Sequence, residues 1–305
     1  MCTNNWDIEE LRTLKSLLEG NEAIENVRKK TRARLLKDLP YTVRKLIERL
    51  SVFSGRFKHQ LVLDLAKLPP EIEDGGLLFE QLIGSWIDQH DVDYFSLSPL
   101  LSNYAKSTLA EQEQKDVHYQ IASSLIDGKK SLDPIDINSA FMSALISSNE
   151  HILLVISIAI ISTDIDELER VAPHISALSF MKTEVPLYKD NLYINLMLRA
   201  AQLLVLSSQD KKTKEFQEVF SQFKKECDDP LEKSGTSFLL KIAIYSKLLL
   251  APNYLGYLSI LSSILKEIDY LYHNKEELLP KEVSPSEVSL DFDGVPVIGL
   301  SLIHI

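Results

Sequence analysis

Two stretches of this 305-residue sequence carry side chains suited to gripping phosphate. The first is the basic run RKKTRAR, Arg28 to Arg34, whose Arg28, Lys29, Lys30 and Arg32 can contact the phosphates of a nucleotide held by a neighbouring domain, or that domain itself. The same run also reads as the solvated side of a helix whose apolar side is Ile24, Val27, Leu35 and Leu36. The second is Ser98 in YFSLSPLL. Its hydroxyl can donate one hydrogen bond. It can equally cap a helix with Pro99 at its first position, and the two roles are compatible.

No other grouping has the spacing of a reactive site. The histidines, His59, His90, His118, His151, His174, His273 and His304, form no H-E-x-x-H or other ligand pattern, so no metal is expected. His118, in VHYQIA, reads as an interdomain contact rather than a base. Cys2 and Cys227 are too far apart for a C-x-x-C motif and read as reduced thiols. There is no G-x-S-x-G elbow and no G-x-x-x-x-G-K-[ST] phosphate loop, so this chain is expected to be no enzyme and to hold no cofactor unaided.

The net charge of -11 argues against general binding to nucleic acid or anionic membrane. The charge is uneven. Residues 1–67 hold 14 Lys and Arg against 9 Asp and Glu, whereas the other 238 hold 19 against 35, so a mildly basic head joins an acidic body suited to a basic protein partner. The start, MCTNNWDIEELR, lacks the features of a signal peptide, and the most apolar run, ILLVISIAIIS, is about half the length that spans a bilayer. A cytoplasmic protein is expected.

The elements that must position these residues are mostly helical, because apolar residues recur at three- and four-residue spacing between sparse glycines and prolines. WDIEELRTLKSLL ends at Gly20, and a second helix follows from Asn21 to about Leu36. DLPYTVRKLIERLSVF places Val43, Leu46, Ile47 and Leu50 on one stripe; SGRF turns the chain into FKHQLVLDLAKL, which Pro69-Pro70 stops. After Gly75-Gly76 come the helix LLFEQLIGS and two short strands in WIDQHDVDYFSLS. Three helices and then a two-stranded wing is the order of a winged helix-turn-helix, with Leu46, Leu50, Phe53, Phe57, Leu82 and Trp86 expected in its core. Beyond it, helices are expected near 104–127, 136–148, 150–163, 164–182, 189–208, 211–227, 231–251 and 253–274, paired as a repeat array. FLLKIAIYSKLLLAPNYLGYLSILSSILKEIDYLY has the spacing of a tetratricopeptide pair, but its small residues are not where that motif wants them.

The expected fold is therefore all-α: a helical lead-in over 1–36, a winged-helix domain over 37–103 with a short β-hairpin, an α-helical, tetratricopeptide-like array over 104–280, and an irregular tail over 281–305. A DNA reader would need base-reading and basic residues on its third helix. GGLLFEQLIGSW offers Gln81 beside Glu80 and no positive charge, and the wing, DQHDVDY, holds three Asp that phosphates would repel. Nucleic acid is not an expected partner.

LLKDLPYTVRKLIERLSVFSGRF, followed by LLFEQLIGSWID, YFSLSPLLSNYA and VHYQIASSLI, resembles the winged-helix region and the start of the helical array in STAND-class signalling ATPases, the group that contains NB-ARC and NACHT proteins. The resemblance covers about residues 5 to 127. It implies an ATP- or ADP-dependent switch, with a nucleotide-binding domain upstream and a repeat region that senses a protein trigger or effector downstream. Bacterial members are commonly transcriptional regulators or anti-phage defence sensors. Many relatives place a histidine that contacts the ADP phosphate just after the hairpin, and the aligned residue here is Ser98. With no phosphate loop of its own, the chain reads as a fragment whose partner is the ATPase domain of its parent. The last six residues, LSLIHI, match what one frame of a common transposase library adapter encodes, which implies that the natural chain continues past about Gly299; the other reading is a genuine strand, VPVIGLSLIHI. A free-standing interaction scaffold and a DNA-binding winged-helix regulator are the alternatives.

Overall fold

A computed structural model describes residues 21–101, 104–127, 133–209, 213–228, 235–250 and 258–274. The expected first helix, the segment after Asn274 and the sequence LSLIHI lie outside the described residues. The described chain is mostly helical, with one small sheet. It divides into two compact units, Met1–Ser124 and Leu125–Ile305.

In the first unit α1 spans Asn21–Lys37 and α2 spans Tyr41–Leu50. Pro40, which cannot extend a helix backwards, occupies the N-cap of α2, and Val43, Leu46, Ile47 and Leu50 are buried along one face as their spacing dictates. The chain then forms β1 (Arg56–Phe57), α3 (His59–Ala66), α4 (Gly75–Leu82), β2 (Ile87–Gln89) and β3 (Phe95–Leu97). The sheet is antiparallel in the order β1-β3-β2, with Phe57 opposite Phe95 and Ile87 opposite Leu97. The sequence had suggested a two-stranded hairpin, with SGRF only a turn. A strand of two residues is too short to show alternation, and its entry depends on Gly55, whose φ of +130° few other residues tolerate.

Phe53, Phe57, Phe79 and Phe95 bind the sheet to the helices; Phe57 lies 6.3 Å from Phe53 and 6.4 Å from Phe79 between ring centroids, and Phe79 meets Phe95 edge-on at 4.9 Å. Helix α4 approaches α3 closely at its start. A Cβ on Gly75 would lie 2.5 Å from that of Ala66.

The first unit runs on past the turn that follows β3. A 3-10 turn, Pro99–Leu101, leads to α5 (Ala105–Thr108) and α6 (Glu111–Ile126). The Ala105 amide donates to Ser51 Oγ at 2.8 Å, and Lys45 pairs with Glu113 at 2.6 Å, so both helices are tied to α2. The single helix expected over 104–127 is broken because Leu109 takes an extended conformation.

The second unit contains α7 (Pro134–Ser147), α8 (Glu150–Ser162), α9 (Ile165–Val171), a 3-10 turn (Ala172–His174), α10 (Ser176–Ser179), α11 (Leu192–Ser207), α12 (Thr213–Cys227), α13 (Gly235–Leu250) and α14 (Leu258–His273). One helix was expected over 164–182. Pro173 breaks it, since its ring removes an amide donor and clashes with the preceding turn, and the chain from 180 to 191 is irregular. Helix α11 is the hub: every residue from Ile194 to Ser207 is buried, and it packs on α8, α12 and α13. The apolar α8 is 13 residues long, and none of the described helices is long and apolar enough to cross a membrane.

Candidate functional site

The residues expected to recognise phosphate lie on α1 and just before the 3-10 turn that α1 touches. Ser98 follows β3; its amide donates to the Trp86 carbonyl at 2.8 Å, and its own carbonyl accepts from the Leu101 amide at 2.9 Å, closing the turn that Pro99 opens. Ser98 thus holds the cap position of that 3-10 turn. Ser98 as a whole is half-buried. Helix α1 packs against this same turn.

The basic residues do not share one environment. Lys29 and Lys30 are exposed, whereas Arg32 is only 5% exposed and its guanidinium lies 5.2 Å from the Tyr104 ring centroid. Arg32 is therefore turned inward rather than lying on a solvated helix face. The Arg28 side chain lies outside the described residues. Beside Arg32, burial and then the Glu48 carboxylate push the Tyr104 hydroxyl above its ordinary range, against the pull of Arg44 and Arg32. Lys29, Lys30 and Ser98 can offer two exposed ammonium groups and one hydroxyl donor, which suits a phosphate presented by another domain.

Of the residues expected in the core, Leu46, Leu50, Phe53, Phe57 and Leu82 are buried and Trp86 is half-buried. The outward face of α4 carries Leu77, Glu80 and Gln81. Residues 68–101 hold seven carboxylates, Glu71, Glu73, Asp74, Glu80, Asp88, Asp91 and Asp93, all exposed, and no Lys or Arg. Two cations from outside that range stand beside the hairpin, Arg56 opposite Ser96 and Lys58 with its ammonium 5.1 Å from the Tyr94 ring centroid, so the surface is acidic in balance and disfavours a phosphate backbone. His118 is half-buried, and burial holds its imidazole below its ordinary pKa.

Two buried arginines went unremarked in the sequence. Arg49 donates to the Leu65 and Pro70 carbonyls, both at 2.9 Å, and its Nε lies 3.8 Å from Glu113; desolvation lowers its pKa, with Glu113 opposing. It joins α2, the end of α3 and α6. Its signal was its place three residues after Leu46, on the apolar stripe of α2. Arg199 is the one charge in the α11 sequence LYINLMLRAAQLLVLS and is paired with Glu226 at 3.0 Å. A lone charge in a helix that apolar implies a buried partner.

Among the described residues no group of His, Cys, Asp and Glu could hold a metal ion, and Cys227 is a buried free thiol. In comparisons with known proteins, no family model, no curated protein and no solved structure matches the chain.

Proposed function

We propose that this chain is the winged-helix and helical-array segment of a STAND-type signalling protein, coupling the nucleotide state of an ATPase domain to recognition of a protein by the helical second unit. The observation that carries the reading is the order α2-β1-α3-α4-β2-β3 with a β1-β3-β2 antiparallel sheet, the arrangement of a winged helix, followed directly by helices. The exposed carboxylates of α4 and the hairpin outnumber the two cations beside them, Arg56 and Lys58, which favours a protein-facing winged helix over a DNA reader.

In this reading Ser98, Lys29 and Lys30 face bound ADP at rest. Engagement of a trigger by the array swings the winged helix away, and the chain itself performs no chemistry. ATP or ADP would be held by the ATPase domain of this proposal, and its contacts with this chain would be hydrogen bonds and screened charge.

Long-read sequencing of the source DNA across both ends of the reading frame tests this. An in-frame phosphate-loop ATPase upstream is the expected result; a frame that begins at Met1 and stops after Ile305 would overturn it in favour of a free-standing interaction scaffold. A gel-shift titration with duplex DNA at low and high salt addresses the regulator alternative. No salt-sensitive shift is expected.

A further inference from the structure

In the second unit, the irregular segment between α10 and α11 is held down by side chains of a single helix face. Asn195, Arg199 and Gln202 stand at i, i+4 and i+7 on α11 and therefore share one side of it. Gln202 Nε2 donates to the Leu178 and Met181 carbonyls, both at 3.0 Å. Arg199 donates through Nη2 to the Val185 carbonyl at 2.8 Å and through Nη1 to the Lys182 carbonyl at 3.5 Å. Asn195 Oδ1 accepts from the Leu187 and Tyr188 amides at 2.7 and 3.3 Å. Every one of these bonds is to backbone. Only Leu187 and Tyr188 within it are buried, the latter with its hydroxyl against Ser148 and Glu150; Lys182, Glu184, Val185, Pro186, Lys189 and Asp190 are exposed.

The clamp is itself held from α12. Glu226 accepts from Arg199 Nε at 3.2 Å and Nη2 at 3.0 Å, and from Gln222 Nε2 at 2.8 Å, while Arg199 Nη1 donates to Gln202 Oε1 at 2.8 Å. A buried ion pair is seldom the most stable filling for a core, and its best-attested use is to fix one conformation among several. Here it fixes the approach of one irregular segment to the central helix.

We infer that residues 181–188 are a latch: they open as a local unit, without unfolding of the second unit, and the Arg199–Glu226 pair sets how often they do so. Opening uncovers a row of amide and guanidinium groups on α11 and changes what this unit presents without repacking its helices. The latch would operate equally in a signalling switch or in a free-standing scaffold.

The test is hydrogen–deuterium exchange of the whole chain, read at the Leu187 and Tyr188 amides and at amides within α11, together with the rate of trypsin cleavage after Lys182 identified by mass spectrometry. In the wild type the Leu187 and Tyr188 amides are expected to exchange at least about tenfold faster than those of α11, with weaker dependence on denaturant. Glu226→Gln, which keeps the shape and removes the charge, is expected to raise both Leu187 exchange and Lys182 cleavage about tenfold or more and leave α11 unchanged. If the segment and α11 exchange together in the wild type, or if the variant accelerates both alike or neither, the latch is overturned. The wild-type comparison decides the matter even if the variant fails to fold.

Discussion

Gly75 and Gly76 are neighbours in sequence and chemically identical, yet an added methyl should have opposite effects at the two. A Cβ on Gly75 would lie 2.5 Å from Ala66 Cβ, a part of α3 that cannot rotate away. Carbon atoms pack at about 3.5–4.0 Å, so α3 and α4 would have to part by about 1 Å or more. Overpacking of this kind costs about 1–3 kcal/mol, and we expect Gly75→Ala to lose about 2 kcal/mol. In Gly76→Ala the new Cβ would lie 3.4 Å from Leu63 Cδ2 and 3.8 Å from His59 Nε2, ordinary contact, while Ala favours a helix over Gly by up to about 1 kcal/mol. That variant should be neutral or slightly stabilised. Urea denaturation followed by tryptophan fluorescence reads the right part of the molecule, because Trp86 belongs to the first unit. For a unit of this size, 1 kcal/mol corresponds to about 4–8 °C in Tm. Removing the opposing methyl in Ala66→Gly/Gly75→Ala should restore more stability than the two single changes sum to. Equal effects at the two glycines, or a Gly75→Ala change within about 0.5 kcal/mol of wild type, would refute the close approach of these helices.

Tyr245 is fully buried, its hydroxyl has no hydrogen-bond partner among the described residues, and burial, then Glu267, pushes it far above its ordinary pKa; Tyr245→Phe should therefore be neutral or stabilising by about 1 kcal/mol in a far-UV circular dichroism melt. Arg49→Met would remove the donors to the buried Leu65 carbonyl and to the Pro70 carbonyl and should cost about 2 kcal/mol by urea denaturation of the first unit. His118 has its pKa lowered by burial, so between its ordinary value and its folded value the unfolded chain binds the extra proton and stability falls as pH falls. Melts of wild type and His118→Gln at pH 7.5 and 5.5 should show the wild type losing more on acidification; equal losses would remove His118 from the pH response.

The sequence by itself determined that the chain is mostly helical and where its apolar faces lie. The stripe Val43, Leu46, Ile47 and Leu50 follows from a 3.6-residue period that needs no knowledge of its neighbours, and all four are buried. Tertiary structure alone decided the rest. β1 is too short to carry a pattern and exists because Phe57 can pair with Phe95. Arg32 sits in a basic run that composition assigns to solvent, but the Tyr104 ring draws it inward, and Tyr104 lies 72 positions away in the chain. The candidate site was half legible. Ser98 before Pro99 announces a cap, whereas the contact of the turn it caps with α1 depends on packing between segments distant in sequence. Arg49, Arg199 and Glu226 show the same division: a charge on an apolar stripe must be paired, but which carbonyl or carboxylate pairs with it is set only when the helices close.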